Sequence, residues 1–154
     1  MAEGDWNSVV KEWLVDPGWC DSGGLAGDDG CLYAAAPEDK MWQSIYDQEV
    51  TGDDFQPTTI NVNEPETLQE MISKKGPTKI GVWLAGKKYT YVKSDQIEGF
   101  DVVVMARQKG GLFIVLTGAG TAVLATFDEE QEMTSGNCCE TAIGFAKYLK
   151  ESGY

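Results

Sequence analysis

FDVVVMARQKGGLFIVLTGAGTAVLATF, residues 100–127, consists of apolar runs cut by glycine. Phe100 to Arg107, Leu112 to Thr117 and Thr121 to Phe127 are rich in Val, Leu, Ile and Phe, with Gly110-Gly111 and Gly118 to Gly120 between them. Parallel strands need a crossover of about a dozen residues or more, far longer than these connections, so the stretch predicts an antiparallel meander. Upstream, Ile80 to Leu84 and Tyr89 to Lys93 are joined through Gly86 and lengthen the meander. Nearer the start, Ser22 to Gly27 and Cys31 to Ala36 flank Asp28-Asp29-Gly30, a turn signal that predicts a hairpin.

Helix patterns surround the strands. Trp6, Val9, Val10, Trp13 and Leu14 recur at the spacing of one helix face and stop at Asp16-Pro17-Gly18. Trp13, on the stripe with Val10 and Leu14, is read as core. At the other end Cys139, Ala142, Ile143, Ala146 and Leu149 form one stripe, with Phe145 and Tyr148 beside it and Tyr154 closing the chain. One buried stripe does not need that much aromatic surface. Pro37, followed by Met41, Trp42, Ile45 and Tyr46, predicts a short helix over Glu38 to Asp47. Glu64-Pro65-Glu66 begins another, with Leu68, Met71 and Ile72 on its inner face and Lys74-Lys75-Gly76-Pro77 ending it. The acidic segment at about 47–62, with Asp47, Glu49, Asp53 and Asp54, is expected as an exposed loop or small hairpin. The fold class is α+β: a central antiparallel sheet flanked by helices, the N- and C-terminal helices packed together on one face.

The 154 residues suit a single domain with its own core, and 42% apolar with 24% charged residues are globular values. No apolar run reaches the roughly 20 residues of a membrane span, and the acidic start Met1-Ala2-Glu3-Gly4-Asp5 is unlike a signal peptide. A cytoplasmic protein is expected. The net charge of −13 opposes binding to nucleic acid, whose phosphates require neutralising bases. One region departs from that balance: Lys87, Lys88, Lys93, Arg107 and Lys109 form a basic island in an acidic chain. Alternate residues on neighbouring strands share a face, so the island is expected to form one patch.

Cys20, Cys31, Cys138 and Cys139 contain no C-x-x-C pair, and with no histidine in the chain the usual zinc sets cannot be assembled and the commonest general base is missing. No metal, cofactor or catalytic set is expected, and the cysteines are read as reduced thiols. Gly118-Ala119-Gly120 has no helix behind it and reads as a turn, not a phosphate loop. The carboxylate pairs lie in polar runs and read as solvated charge.

The order of elements, with Trp6-Asn7, Asp29-Gly30 before Tyr33, Gly81-Val82-Trp83-Leu84-Ala85-Gly86-Lys87-Lys88, Arg107-Gln108-Lys109-Gly110-Gly111 and the Leu149 to Tyr154 tail, resembles profilin along nearly the whole chain. Lys11 to Asp16, Phe127-Asp128-Glu129-Glu130, the Ser152-Gly153-Tyr154 ending and the long segment after Tyr46 look most similar to the apicomplexan parasite branch. The resemblance implies a cytoplasmic, cytoskeleton-associated monomer that binds monomeric actin on one face and proline-rich peptides, such as formin segments, on another. By position it implies Trp6, Val9, Tyr33, Tyr148 and Tyr154 as polyproline contacts and Lys88, Lys93, Arg107 and Lys109 as actin contacts. It further implies phosphoinositide binding, weakened by the net charge, and recognition by a host innate immune receptor through the acidic segment. Glu140, where vertebrate members carry a lysine, and the acidic insertion favour a second reading: a proline-rich peptide-binding scaffold with weak or lost actin binding.

Overall fold

The computed structural model describes residues 6–27, 29–36, 45–51, 55–76, 78, 81–84, 87–118 and 120–153. Its chain order is α1 (Trp6–Val10) running into a π-helical turn (Lys11–Val15), β1 (Ser22–Gly27), β2 (Leu32–Ala36), β3 (Ile45–Thr51), β4 (Pro57–Asn63), α2 (Glu64–Lys74), β5 (Val82–Leu84), β6 (Lys87–Ile97), β7 (Phe100–Arg107), β8 (Gly110–Leu116), β9 (Thr121–Asp128), a 3-10 turn (Glu129–Gln131) and α3 (Ser135–Glu151). Seven strands form one sheet in the order β2-β1-β9-β8-β7-β6-β5, and every neighbouring pair is antiparallel. The expected meander is therefore present, and β1 closes onto β9 rather than standing apart with β2.

Both faces of this sheet are buried, which explains why its central strands read as continuous apolar runs instead of strict alternation. On one face Val102, Phe113, Val115, Val123 and Ala125 pack with Val9, Val10 and Leu14 from the first helix and Ala142, Ile143, Phe145, Ala146 and Leu149 from α3. On the other, Val103, Met105, Leu112, Ile114 and Leu124 pack with Leu68 and Met71 of α2. The terminal helices thus share one face, as the sequence predicts. Gly23 makes the close approach of the first helix possible, because a Cβ there would lie 2.3 Å from Leu14 Cδ1.

The helix ends follow local chemistry. Asn63 Oδ1 accepts from the Glu66 amide at 3.2 Å to cap α2, and Thr134 Oγ1 accepts from the Asn137 amide at 3.3 Å to cap α3. At its far end α2 closes on Lys75 in the left-handed conformation.

Residues 45–47 correct one expectation. Ile45, Tyr46 and Asp47 belong to strand β3, not to a helix ending at Asp47; residues 37–44 lie outside the described residues. The two-residue period wins here: Tyr46, Gln48 and Val50 are half-buried while Ile45, Asp47 and Glu49 face water. β3 and β4 pair with each other as a separate two-stranded sheet, so the acidic segment is a hairpin. Tyr46 anchors it. Its hydroxyl donates to Oε2 of the fully buried Glu64 at 2.6 Å, and its ring meets Trp83 edge-on at 6.5 Å between centroids. Burial and the Glu64 carboxylate push the Tyr46 phenol well above its ordinary range. Tyr46→Phe is expected to cost about 1 kcal/mol by removing one donor from a buried carboxylate. Urea unfolding of the two proteins measures it, with equal midpoints as the contrary result.

Candidate functional site

Three of the aromatic side chains expected near the chain ends, Trp13, Phe145 and Tyr148, converge where the π turn meets α3. Trp13 stacks on Tyr148 with centroids 4.8 Å apart and planes 20° from parallel, and on Phe145 at 5.7 Å and 11°. Phe145 and Tyr148 stack on each other at 6.4 Å. Phe145 is fully buried, whereas Trp13 and Tyr148 remain half open. These rings lock the two helices together and still present surface, a geometry in which offset stacking adds to area burial.

Trp13 packs against the core that holds Val10 and Leu14, as expected, but it is only partly buried and keeps surface at the junction. The Asp16 amide donates to the Lys11 carbonyl at 2.8 Å, a five-residue step. That wider turn carries Trp13 off the Val10 and Leu14 stripe towards α3. Val9 moves the opposite way from expectation: at 3% exposure it lies in the core beneath the helix and presents no side-chain surface to a ligand.

Trp6 is half-buried against the same core. Its neighbour Asn7 accepts from the Ala35 amide through Oδ1 at 2.9 Å, which covers an otherwise open edge of β2 and fixes α1 to that strand. Tyr33 is 44% exposed. It is the extra residue of a β-bulge, since Leu25 pairs with Ala34 while Ala26 pairs with Leu32. A bulge re-aims its additional side chain, which is why a tyrosine in an otherwise buried hairpin reaches solvent. Tyr154 lies outside the described residues. Asn7 and Trp13 were the members of this face that sequence reasoning missed; a polar side chain beside Trp6 was the available signal for the first.

The basic island does not form one patch. Lys88 alternates with Tyr89, which is buried against the α2 core, and so points away from that core. Lys93 pairs with Val104, which packs on the terminal-helix side, and its charge reaches Cys139 on α3. A bulge at Val92, between Tyr91 and Lys93, moves Lys93 onto the same side as Lys88. Arg107 faces the other way. Its guanidinium lies on the side of Tyr89, whose hydroxyl pKa is raised by burial and held back by the nearby positive charge. Lys109 occupies the β7–β8 turn and pairs with Glu130 at 3.2 Å, and Lys93 pairs with Asp95 at 3.8 Å. The shared-patch expectation is corrected for Arg107: strand period and the bulge put Lys88 and Lys93 on one side of the sheet and Arg107 on the other, while Lys109 lies in the β7–β8 turn paired with Glu130.

An antiparallel sheet with both chain ends laid as helices across one face, open aromatics at their junction and lysines on a flanking strand define a small α+β binding module. The Profilin family model matches residues 4–154. The chain belongs to the profilin family. It is similar to the profilin of Plasmodium berghei, with 30% identity covering 99% of this chain and 97% of that protein, and to the profilin of Plasmodium falciparum, with 33% identity covering 97% of each. Those relatives place its resemblance with the apicomplexan branch. Among solved structures it superposes on profilin IA of Acanthamoeba castellanii with a TM-score of 0.68 at 17% identity, covering 97% of this chain and 99% of the other. Schizosaccharomyces pombe profilin gives 0.66 at 18% identity over the same shares. At that identity these structures speak for the fold, and the family assigns the chain to actin-binding regulators. Among the described residues, no helix is long and apolar enough to cross a membrane.

Proposed function

We propose that this protein regulates polymerisation by binding actin monomers through its β6 side while holding proline-rich segments on the aromatic junction of its terminal helices. The carrying observation is the partly open Trp13–Tyr148 stack at the junction of the first helix and α3, with half-buried Trp6 packed on the same core; exposed Tyr33 on β2, the strand to which Asn7 ties α1, is proposed as a further contact. A polyproline II ligand offers a rigid surface that packs on aromatic faces, and its unpaired carbonyls accept from Trp N–H and Tyr O–H donors. Lys88 and Lys93, on one side of β6, supply positive charge for an acidic actin surface; Arg107 projects from the opposite side of the sheet, and Lys109 in the β7–β8 turn is paired with Glu130.

The action is stoichiometric and cytoplasmic. Covering one end of the monomer blocks nucleation and pointed-end addition but leaves barbed-end delivery open, and a formin-type proline-rich segment recruits the loaded complex. A second reading, a proline-binding scaffold with little actin affinity, draws support from the ion pairs that partly neutralise Lys93 and Lys109. Titrating fluorescently labelled actin monomer at low salt separates the two. Saturable one-to-one binding supports regulation of actin; no binding at tens of micromolar, with proline binding retained, favours the scaffold.

A further inference from the structure

Cys20 and Cys138 are 118 positions apart in sequence, yet their sulfurs lie 3.3 Å apart inside the terminal-helix core. Both are buried free thiols, one just before β1 and the other in the first turn of α3. We propose that this pair is an oxidation site, closing to an intramolecular disulfide that staples the root of the first helix and β1 to the start of α3. A disulfide bond is about 2.05 Å long, so the sulfurs need approach by only a little more than about 1 Å. The proposal does not depend on which ligand the aromatic face binds.

The oxidant is a low-molecular-weight disulfide such as oxidised glutathione. One protein thiol, as its thiolate, attacks a sulfur of that molecule and releases one small thiol. The second protein thiolate then displaces the other small thiol and forms the Cys20–Cys138 bond. Two protein thiols are oxidised, the small disulfide is reduced to two thiols, and the two protons pass to the released thiolates. The hydrogen bond with Cys20 and burial hold the Cys138 thiol strongly protonated, so the exchange is slow and proceeds through openings of the first turn of α3. The bridge closes a very long loop of chain, which restricts the unfolded state and stabilises the folded one.

The full-length chain carrying C31S and C139S retains this pair and lacks the exposed and half-exposed thiols that compete for oxidant. After equilibration with oxidised glutathione, alkylation and peptide mapping of the monomer are expected to show a Cys20–Cys138 linkage, with a Tm raised by about 10 °C and restored by reductant. The C20S variant of that background should show neither change. Unmodified wild-type chain, mapped in parallel, guards against folding defects of the variants and should yield the same linked peptide. Two alkylatable thiols after prolonged equilibration, a lowered Tm on oxidation, or a linkage formed only between chains would each overturn the proposal.

Discussion

Phe145→Ala is expected to lower the free energy of unfolding by about 3–5 kcal/mol, the range for truncating a fully buried aromatic. Phe145 is 0% exposed and stacks on both Trp13 and Tyr148, so its loss leaves a cavity and removes the floor on which the other rings rest. The change acts on packing first and on binding second. Below the new midpoint the protein should remain folded through its α2 side, where Leu68, Met71, Ile114 and Leu124 form a separate cluster, but bind octaproline poorly because Trp13 and Tyr148 are no longer held parallel. Chemical denaturation with a paired proline titration checks both halves. A cost below about 1 kcal/mol would mean that the helices are held by other contacts and that the stack is incidental.

Trp6→Ala is expected to act in the reverse order. Trp6 is only half-buried at the edge of the core, so stability should fall modestly, whereas affinity for a proline-rich peptide should drop about 30-fold, roughly 2 kcal/mol, as interface aromatics do on truncation. Asn7 keeps α1 attached to β2 through the Ala35 amide, which makes collapse of the whole face an unsuitable explanation for the loss. Anisotropy of a labelled octaproline measures the affinity directly and avoids interference from the remaining tryptophans. Unchanged affinity in a folded variant would remove Trp6 from the site.

The larger architecture was legible because it rests on local rules. Glycine-punctuated apolar runs from Phe100 to Phe127 specify adjacent antiparallel strands, and Glu64-Pro65-Glu66 after Asn63 specifies a capped helix. What escaped was where long-range pairing overrides local periodicity. Ile45 and Tyr46 fit a helical stripe as well as a strand, and pairing with β4, together with the Tyr46 to Glu64 hydrogen bond, favours the strand. The site's details escaped for a related reason. Val92 and Tyr33 are bulge residues, and a one-residue bulge reverses which face every later side chain takes. No spacing in the sequence reveals that Lys93 joins Lys88 instead of Arg107. Likewise the π turn, a backbone departure of one residue, takes Trp13 from the core stripe and stacks it on Tyr148.

In the proposed function one chain holds an actin monomer and a proline-rich segment on different faces at once. The most direct test is the anisotropy of a labelled formin-type proline-rich peptide, free of any actin-binding segment, titrated first with the protein alone and then with the protein saturated with monomeric actin. The same dissociation constant is expected in both titrations, with a higher plateau in the second as the peptide tumbles with the larger complex. Displacement of the peptide by actin, or an identical plateau at saturating actin, would contradict it.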